Sequence, residues 1–219
     1  MSKHREPNFG YLLGGILAFM LIGPIARQLF GSADGLIMMG AFSAMMFIGV
    51  WSLVETRLVF FSGLFLAISS VGLVIINNYY PSKELEFSLL AILLTFTVIS
   101  ASLATTHLFG DDRVSGNRLM GGICIYLLIG LSWSVMYSAL MLIDPASFSG
   151  FSVTDNSLYW EMTYFSFVTL TTLGYGDITP VTSGAKALAY SEAVAGELYI
   201  AVLIGALVGG YMSKKQANN

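Results

Sequence analysis

Long apolar stretches separated by short polar links dominate the chain. Six of them run Phe9–Ile25, Leu36–Val54, Leu58–Ile76, Phe87–Leu108, Leu119–Ile143 and Ala185–Tyr211. A bilayer core takes about 20 apolar residues per helix. The runs lack the apolar–polar alternation of a membrane β-barrel, and continuous runs of this length read as helices. The pattern predicts an all-α membrane protein with six transmembrane helices. The first run follows Lys3, His4 and Arg5 as a secretory signal would. Its long apolar core and the poor cleavage site Gly23-Pro24-Ile25-Ala26 predict a retained span instead. Gly23-Pro24 is expected to kink or end that helix.

A seventh apolar piece is different. The connection Asp144–Gly184 contains Ser157–Leu170, 14 residues long, which as a helix is roughly 21 Å. That is too short to cross a bilayer, so a re-entrant helix over 157–170 is expected. Irregular backbone at membrane depth is tolerated only when it is buried in protein or lines water. The chain divides at the polar link Gly110-Asp111-Asp112-Arg113. Residues 1–110 then form a four-helix unit. Residues 111–219 form a second unit: an outer helix 119–143, the re-entrant helix 157–170, a loop 171–177 and an inner helix 185–211.

Composition narrows the class further. Of 219 residues, 56% are hydrophobic and 11% are charged; mean hydropathy is +0.76. Soluble domains carry roughly 25% charged residues, so a soluble enzyme is excluded, and the many apolar residues exclude disorder. The single cysteine, Cys124, allows neither an intrachain disulfide nor a cysteine metal cluster. A net charge of -3 argues against nucleic acid as a partner and leaves membrane lipid. With the N-terminus inside, Lys3, Arg5, Arg57, Arg113, Arg118, Lys214 and Lys215 are cytoplasmic, and Arg27, Lys83 and Lys186 lie outside. That bias predicts a multi-pass cell-membrane protein with both termini cytoplasmic. Tyr79 and Tyr80 then mark an outer interface, Trp51 and Tyr211 inner ones. Only eight residues follow Tyr211, so no cytosolic ligand-binding domain is expected.

The loop Thr171-Thr172-Leu173-Gly174-Tyr175-Gly176-Asp177 carries the candidate chemistry. A dehydrated monovalent cation needs oxygen ligands in place of its water shell, and stacked rings of backbone carbonyls can supply them. Successive carbonyls point one way only if the residues alternate between ordinary and left-handed dihedrals. Glycine takes the left-handed positions without steric cost, which accounts for Gly174 and Gly176. The Thr172 hydroxyl adds an innermost ring of oxygens. The preceding helix aims its C-terminal carbonyls toward the space below.

Thr172-Leu173-Gly174-Tyr175-Gly176-Asp177 resembles the signature selectivity filter of potassium channels, with leucine where valine is usual. Phe167–Thr172 is similar to the end of that family's pore helix. Glu192-Ala193-Val194-Ala195-Gly196-Glu197-Leu198-Tyr199 is similar to the inner helix of small prokaryotic members. The likeness covers roughly Leu119–Met212; the first four helices resemble six-helix channels in number alone. It implies a homotetramer passing K⁺ passively through the carbonyls of Thr172, Leu173, Gly174 and Tyr175, with Gly176 and Asp177 at the outer mouth. It also implies a gating hinge at Gly196 and a cavity-facing Glu197. A weakly selective monovalent cation channel, a secondary transporter or a regulatory membrane subunit are the alternatives.

Several residues depart from that family's pattern. Tyr164 and Phe165 stand where most relatives carry two tryptophans that brace the filter. Tyr164 keeps a donor; Phe165 has none. Val168 replaces a glutamate that in some relatives pairs with the filter aspartate, leaving Asp177 to seek Tyr164 or water. Glu192 and Glu197 are five apart, roughly 140° around a helix, and cannot share a face. Four copies of Glu197 would form an acidic ring; the alternative is a protonated glutamate bonded between helices. Glu192 is expected to face the re-entrant helix or a neighbouring span. Ile200, Ile204 and Val208 recur every four residues as a candidate apolar gate. Gly205 and Gly209 form a close-packing pattern.

No Lys or Arg lies between Arg118 and Lys186, whereas Asp144, Asp155, Glu161 and Asp177 do, so an acidic outer mouth is expected. Phe87–Leu108 likewise contains no Lys or Arg, and His107 stands alone at its inner end. A voltage sensor needs several charges in the field, each worth about 2.3 kcal/mol per 100 mV. Currents recorded over a wide voltage range are therefore expected to lack steep activation. An activation curve requiring several gating charges from these helices would refute that expectation.

Overall fold

The computed structural model describes residues 8–30, 34–52, 57–109, 116–150 and 158–217. Among the described residues, seven helices succeed one another: α1 (Phe9–Phe30), α2 (Asp34–Ser52), α3 (Arg57–Tyr79), α4 (Lys83–Phe109), α5 (Gly116–Ile143), α6 (Leu158–Leu170) and α7 (Ser183–Ala217). Polar side chains cap several of them. Asn8 Oδ1 accepts from Gly10 N–H at 3.2 Å, Ser82 Oγ from Leu85 N–H at 3.2 Å, and Thr182 Oγ1 from Ala185 N–H at 3.3 Å. Among the described residues, four helical stretches are long and apolar enough to cross a membrane: Phe60–Tyr79, Lys83–Thr106, Gly116–Ile143 and Ser183–Ala206. Phe9–Ile22 and Gly40–Gly49 are shorter apolar stretches within α1 and α2.

Of the kink or end expected at Gly23-Pro24, the end is not found. α1 does not end at Gly23-Pro24 but continues through Pro24 to Phe30. A proline removes a single donor, whereas ending the helix in an apolar setting would strand several backbone groups.

α5 is the hub. α1, α4, α6 and α7 all pack on it, within one chain. Phe9 N–H donates to Asn117 Oδ1 at 3.0 Å, and the buried Cys124 thiol donates to the Phe9 carbonyl at 3.7 Å. Ser132 on α5 and Thr97 on α4 meet at 2.9 Å; Ser43 on α2 and Ser70 on α3 meet at 3.0 Å. Such buried hydroxyl pairs pin one helix to the next where apolar packing alone is undirected. The apolar core around them includes Leu12, Ile16, Met46, Leu89, Leu128 and Leu131.

A second cluster includes Tyr137, Met141, Phe148, Met162, Phe165 and Ile178. Above it sits a small ribbon absent from the all-α expectation. β1 (Phe148–Ser149) pairs antiparallel with β2 (Thr179–Pro180), in the register Phe148↔Pro180 and Ser149↔Thr179. Val181 N–H donates to the Ser147 carbonyl at 2.8 Å and extends it. Two-residue strands show no periodicity in a sequence. Pro180 costs the ribbon little, because an edge strand does not need its donor.

Candidate functional site

The short helix α6 has 13 residues and lies between α5 and α7, burying Met162, Thr163, Phe165, Ser166, Val168 and Leu170. Its last turn determines the shape of the loop that leaves it. Thr172 N–H donates to Thr169 O at 3.0 Å, nested inside a bond from Leu173 N–H to Val168 O, also 3.0 Å. This is a Schellman cap, whose C′ residue takes left-handed dihedrals. That residue is Thr172, at φ 58°. Thr171 N–H bonds Phe167 O at 3.1 Å, and Tyr126 on α5 donates its hydroxyl to Leu170 O at 3.1 Å. All four terminal carbonyls of α6 are therefore engaged. Engaged or not, the carbonyls keep their direction, and the helix dipole places a partial negative charge at this end of α6.

The cap begins an alternating pattern: Thr172 (58°), Gly174 (58°) and Gly176 (78°) have positive φ. The two glycines are those expected from the sequence. Thr172 is an addition to them, because a β-branched residue at C′ is uncommon; a left-handed L-residue costs roughly 1–2 kcal/mol. Only its position after the last helical residue signals it. Residues Thr171–Asp177 are all exposed in the single chain. Among the described residues no donor reaches the carbonyls of Thr172, Leu173, Gly174 or Tyr175.

The Asp177 end of the loop is tethered. Tyr164 on α6 donates its hydroxyl to Asp177 Oδ2 at 2.7 Å, and Asp177 Oδ1 accepts from Ile178 N–H at 3.0 Å. The Tyr164 bond is the main cause holding the Asp177 carboxyl below its ordinary value of 3.8. A depressed carboxylate contributes stability above its ordinary value, and that contribution is lost as pH falls through the depressed one. Tyr164→Phe removes the bond, so the acid-induced loss of order around Asp177 should begin at higher pH than in the wild type. Tyrosine fluorescence or flux measured across an acid titration checks this; unchanged acid sensitivity would show that the bond is inert.

Phe165 points elsewhere. Its ring packs against Tyr137 and Phe148 with centroids 5.0 and 5.1 Å away, which places it in the cluster under the ribbon. Val168 is buried and acts through its carbonyl, which also accepts from Gly174 N–H at 3.2 Å. Gly150, unremarked in the sequence, lies at φ 103° with its backbone against the Asp177 carbonyl; a Cβ there would fall 1.7 Å from that oxygen.

On α7, a Cβ at Gly196 would come 2.6 Å from the Leu170 carbonyl oxygen. Close helix crossing thus accounts for this glycine. Glu197, Ile200 and Ile204 are exposed in the single chain, and Glu197 makes no hydrogen bond or ion pair among the described residues. A Cβ at Gly205 would meet nothing within 4 Å, so no intrachain packing explains it. Glu192 is fully buried and touches both expected neighbours, Tyr137 on α5 and Ser166 on α6. The side chains of Val208, Tyr211, Trp51 and His107 and the surroundings of Gly209, together with Asp155 and the link at 110–113, lie outside what the structure describes.

Two long apolar helices bracket a short helix and a loop whose carbonyls have no donor among the described residues. Residues 123–210 match the family described as "Ion channel". The chain is similar to potassium voltage-gated channel subfamily A member 5 of Oryctolagus cuniculus, at 29% identity over 107 residues, 48% of this chain and 17% of that one. It is 33% identical to the Shaker-related potassium channel tsha2 of Oncorhynchus mykiss over 96 residues, 42% of this chain and 18% of that protein. It is 36% identical to two-pore potassium channel 4 of Arabidopsis thaliana over 66 residues, 30% and 23% of the respective chains. The matched region is therefore similar to an ion-channel family and to proteins named as potassium channels. The chain spans less than a quarter of the length of these relatives. No solved structure is a significant match.

Proposed function

We propose that the protein is the pore-forming subunit of a homotetrameric potassium-selective channel in the cell membrane, with both termini cytoplasmic. Residues 111–219 are the pore domain, and 1–110 form an accessory unit without a basic sensor. One observation carries this reading. Thr172, Gly174 and Gly176 have positive φ, so the intervening carbonyls line up, and no donor among the described residues satisfies them. Four such strands around an axis would stack rings of oxygens at the spacing a dehydrated K⁺ requires. The tetramer also supplies partners that one chain lacks: Tyr190, Val194, Leu198, Val202 and Ile204 are all more than half exposed on α7. Gly176 and Asp177 form the outer mouth. Membership of an ion-channel family points away from enzymatic activity. Reconstitution into liposomes with measured K⁺ and Na⁺ efflux tests the proposal. K⁺ flux well above Na⁺ flux is the expected result; equal fluxes favour the weakly selective reading, and a monomer or dimer as the sole membrane species overturns the tetramer.

Glu197 comes just after the turn where α7 crosses the end of α6 and has no partner in its own chain among the described residues. In the proposed tetramer, four carboxylates would ring the water-filled cavity above Ile200, Ile204 and Val208 and concentrate cations there, most strongly at low salt. Glu197→Gln is expected to lower single-channel conductance at low ionic strength and to weaken block by internal Mg²⁺ or polyamines. Identical conductance at two ionic strengths would remove Glu197 from the conduction path.

A further inference from the structure

Glu192 is the only carboxylic acid among the buried polar side chains of the described residues. It has 0% exposure and lies where α5, α6 and α7 meet. Three short oxygen–oxygen contacts form a chain there. Tyr137 Oη is 2.5 Å from Glu192 Oε2, Ser166 Oγ is 2.5 Å from Glu192 Oε1, and Ser166 Oγ is 2.7 Å from the Gly130 carbonyl oxygen. Each contact needs one hydrogen between its two oxygens. Tyr137 supplies one and Ser166 supplies one; a carbonyl has none. With an ionised carboxylate, Ser166 could serve either Glu192 or Gly130 but not both, and the remaining pair would be two buried acceptors facing each other. A hydrogen on Glu192 Oε1 completes the set: Glu192 donates to Ser166, Ser166 donates to Gly130, and Tyr137 donates to Oε2.

The register gives this chain of bonds a mechanical meaning. Ser166 and Leu170 are one turn apart on α6; Glu192 and Gly196 are one turn apart on α7. The two helices touch at both levels, through the Glu192–Ser166 bond and through the close crossing of Gly196 on the Leu170 carbonyl. The lower contact is close packing on the Leu170 carbonyl and side chain, with no hydrogen bond between the two residues. The upper one is directional, and α6 beyond it continues into the cap that sets Thr172.

We infer that Glu192 is a neutral, proton-donating clasp between the inner helix and the short helix, and that it positions the filter strand by fixing α6 relative to α7. The clasp half of this inference rests on the channel reading above; the proton half does not. It acts on conduction through α6 and touches no permeating ion. Breaking it frees α6 to rotate against α7 and loosens the alternating backbone at Thr172, Gly174 and Gly176.

The test uses the full chain reconstituted in liposomes. Infrared difference spectroscopy at neutral pH, wild type minus Glu192→Gln, should show a protonated carboxyl C=O stretch in the wild type. A carboxylate pair of bands in its place would overturn the proton assignment. For the clasp, Glu192→Gln retains a donor toward Ser166 and an acceptor for Tyr137 and should keep K⁺ flux and the K⁺/Na⁺ flux ratio near wild type. Glu192→Leu keeps bulk but leaves the Tyr137 hydroxyl without its acceptor, while Ser166 keeps only its bond to Gly130; its K⁺ flux should fall about tenfold with a lowered ratio, the scale of one lost buried polar partner. If Glu192→Leu does not assemble, Ser166→Ala, which loses one hydroxyl, should still lower the ratio. A Leu or Ala variant with the selectivity of the wild type would overturn the clasp. A wild type that passes no K⁺ would instead defeat the channel reading, while the infrared result on Glu192 would stand.

Discussion

Gly174→Ala should abolish K⁺ flux while leaving the fold of the single chain intact. Gly174 lies at φ 58°, and a Cβ there would meet nothing within 4 Å. The penalty is therefore in the backbone: a left-handed L-residue costs roughly 1–2 kcal/mol. In a single chain that is tolerable, as Thr172 at the same φ demonstrates. Thr172, however, is held by the cap at the end of α6. Gly174 has only the bond from its N–H to Val168 O at 3.2 Å. Relaxing to negative φ turns the neighbouring carbonyls away from the axis. In the proposed tetramer four copies relax together, about 4–8 kcal/mol in all, which depopulates the aligned strand by roughly a thousandfold or more. Gly184→Ala is the matched control, since that glycine also has open space around its Cβ but lies in the first turn of α7 without positive φ. Liposome K⁺ efflux from the two variants side by side decides the point. Flux from the Gly174 variant equal to that of the Gly184 variant would mean that the alternating backbone is not the conduction path.

Legibility in the sequence scales with the length of each feature. The long helices are readable because bilayer thickness imposes a minimum apolar length, and their observed ends lie within a few residues of the expected ones except in α1 and α7. α1 runs past Pro24 because one missing donor does not outweigh the groups that a broken helix would strand. α7 extends to Ala217 because its last turns are polar, and hydropathy alone does not register a helix there. Gly174 and Gly176 are readable as left-handed positions because glycine there is chemically distinctive. Thr172 is not: its left-handed φ is imposed by the end of α6, a tertiary fact. The Tyr164–Asp177 bond is one of two named options, and geometry selects it. Gly150 leaves no trace at all. Nothing near it in sequence announces that a loop 27 positions away will press its carbonyl on that backbone.

That contact leads to the second large effect. Gly150→Ala should disrupt the outer mouth more severely than any side-chain deletion on the same loop. The added Cβ would lie 1.7 Å from the Asp177 carbonyl oxygen and 2.8 Å from its carbonyl carbon. Both atoms are backbone, so no rotamer change relieves the overlap. The residue also sits at φ 103°, where an L side chain is strained even without a neighbour. One of two things must give. Either the β1–β2 ribbon opens, losing the Val181 N–H to Ser147 bond, or the Asp177 carbonyl withdraws and pulls on the Tyr164 bond. Overpacking of a well-filled site costs about 1–3 kcal/mol when side chains can shift, and backbone against backbone lies at or above that range. Ser149→Ala supplies the comparison: it keeps the backbone and removes only an exposed hydroxyl contact with Thr179 at 2.9 Å, worth about 1 kcal/mol or less. Thermal unfolding in detergent, paired with K⁺/Na⁺ flux ratios, separates the two variants. The Ser149 variant should track the wild type in both measurements, while the Gly150 variant should lose stability and selectivity together, because the ribbon and the end of the loop share one contact. A Gly150→Ala protein with unchanged stability and flux ratio would mean that Asp177 does not rest on this backbone, and that the outer loop does not brace the conduction strand.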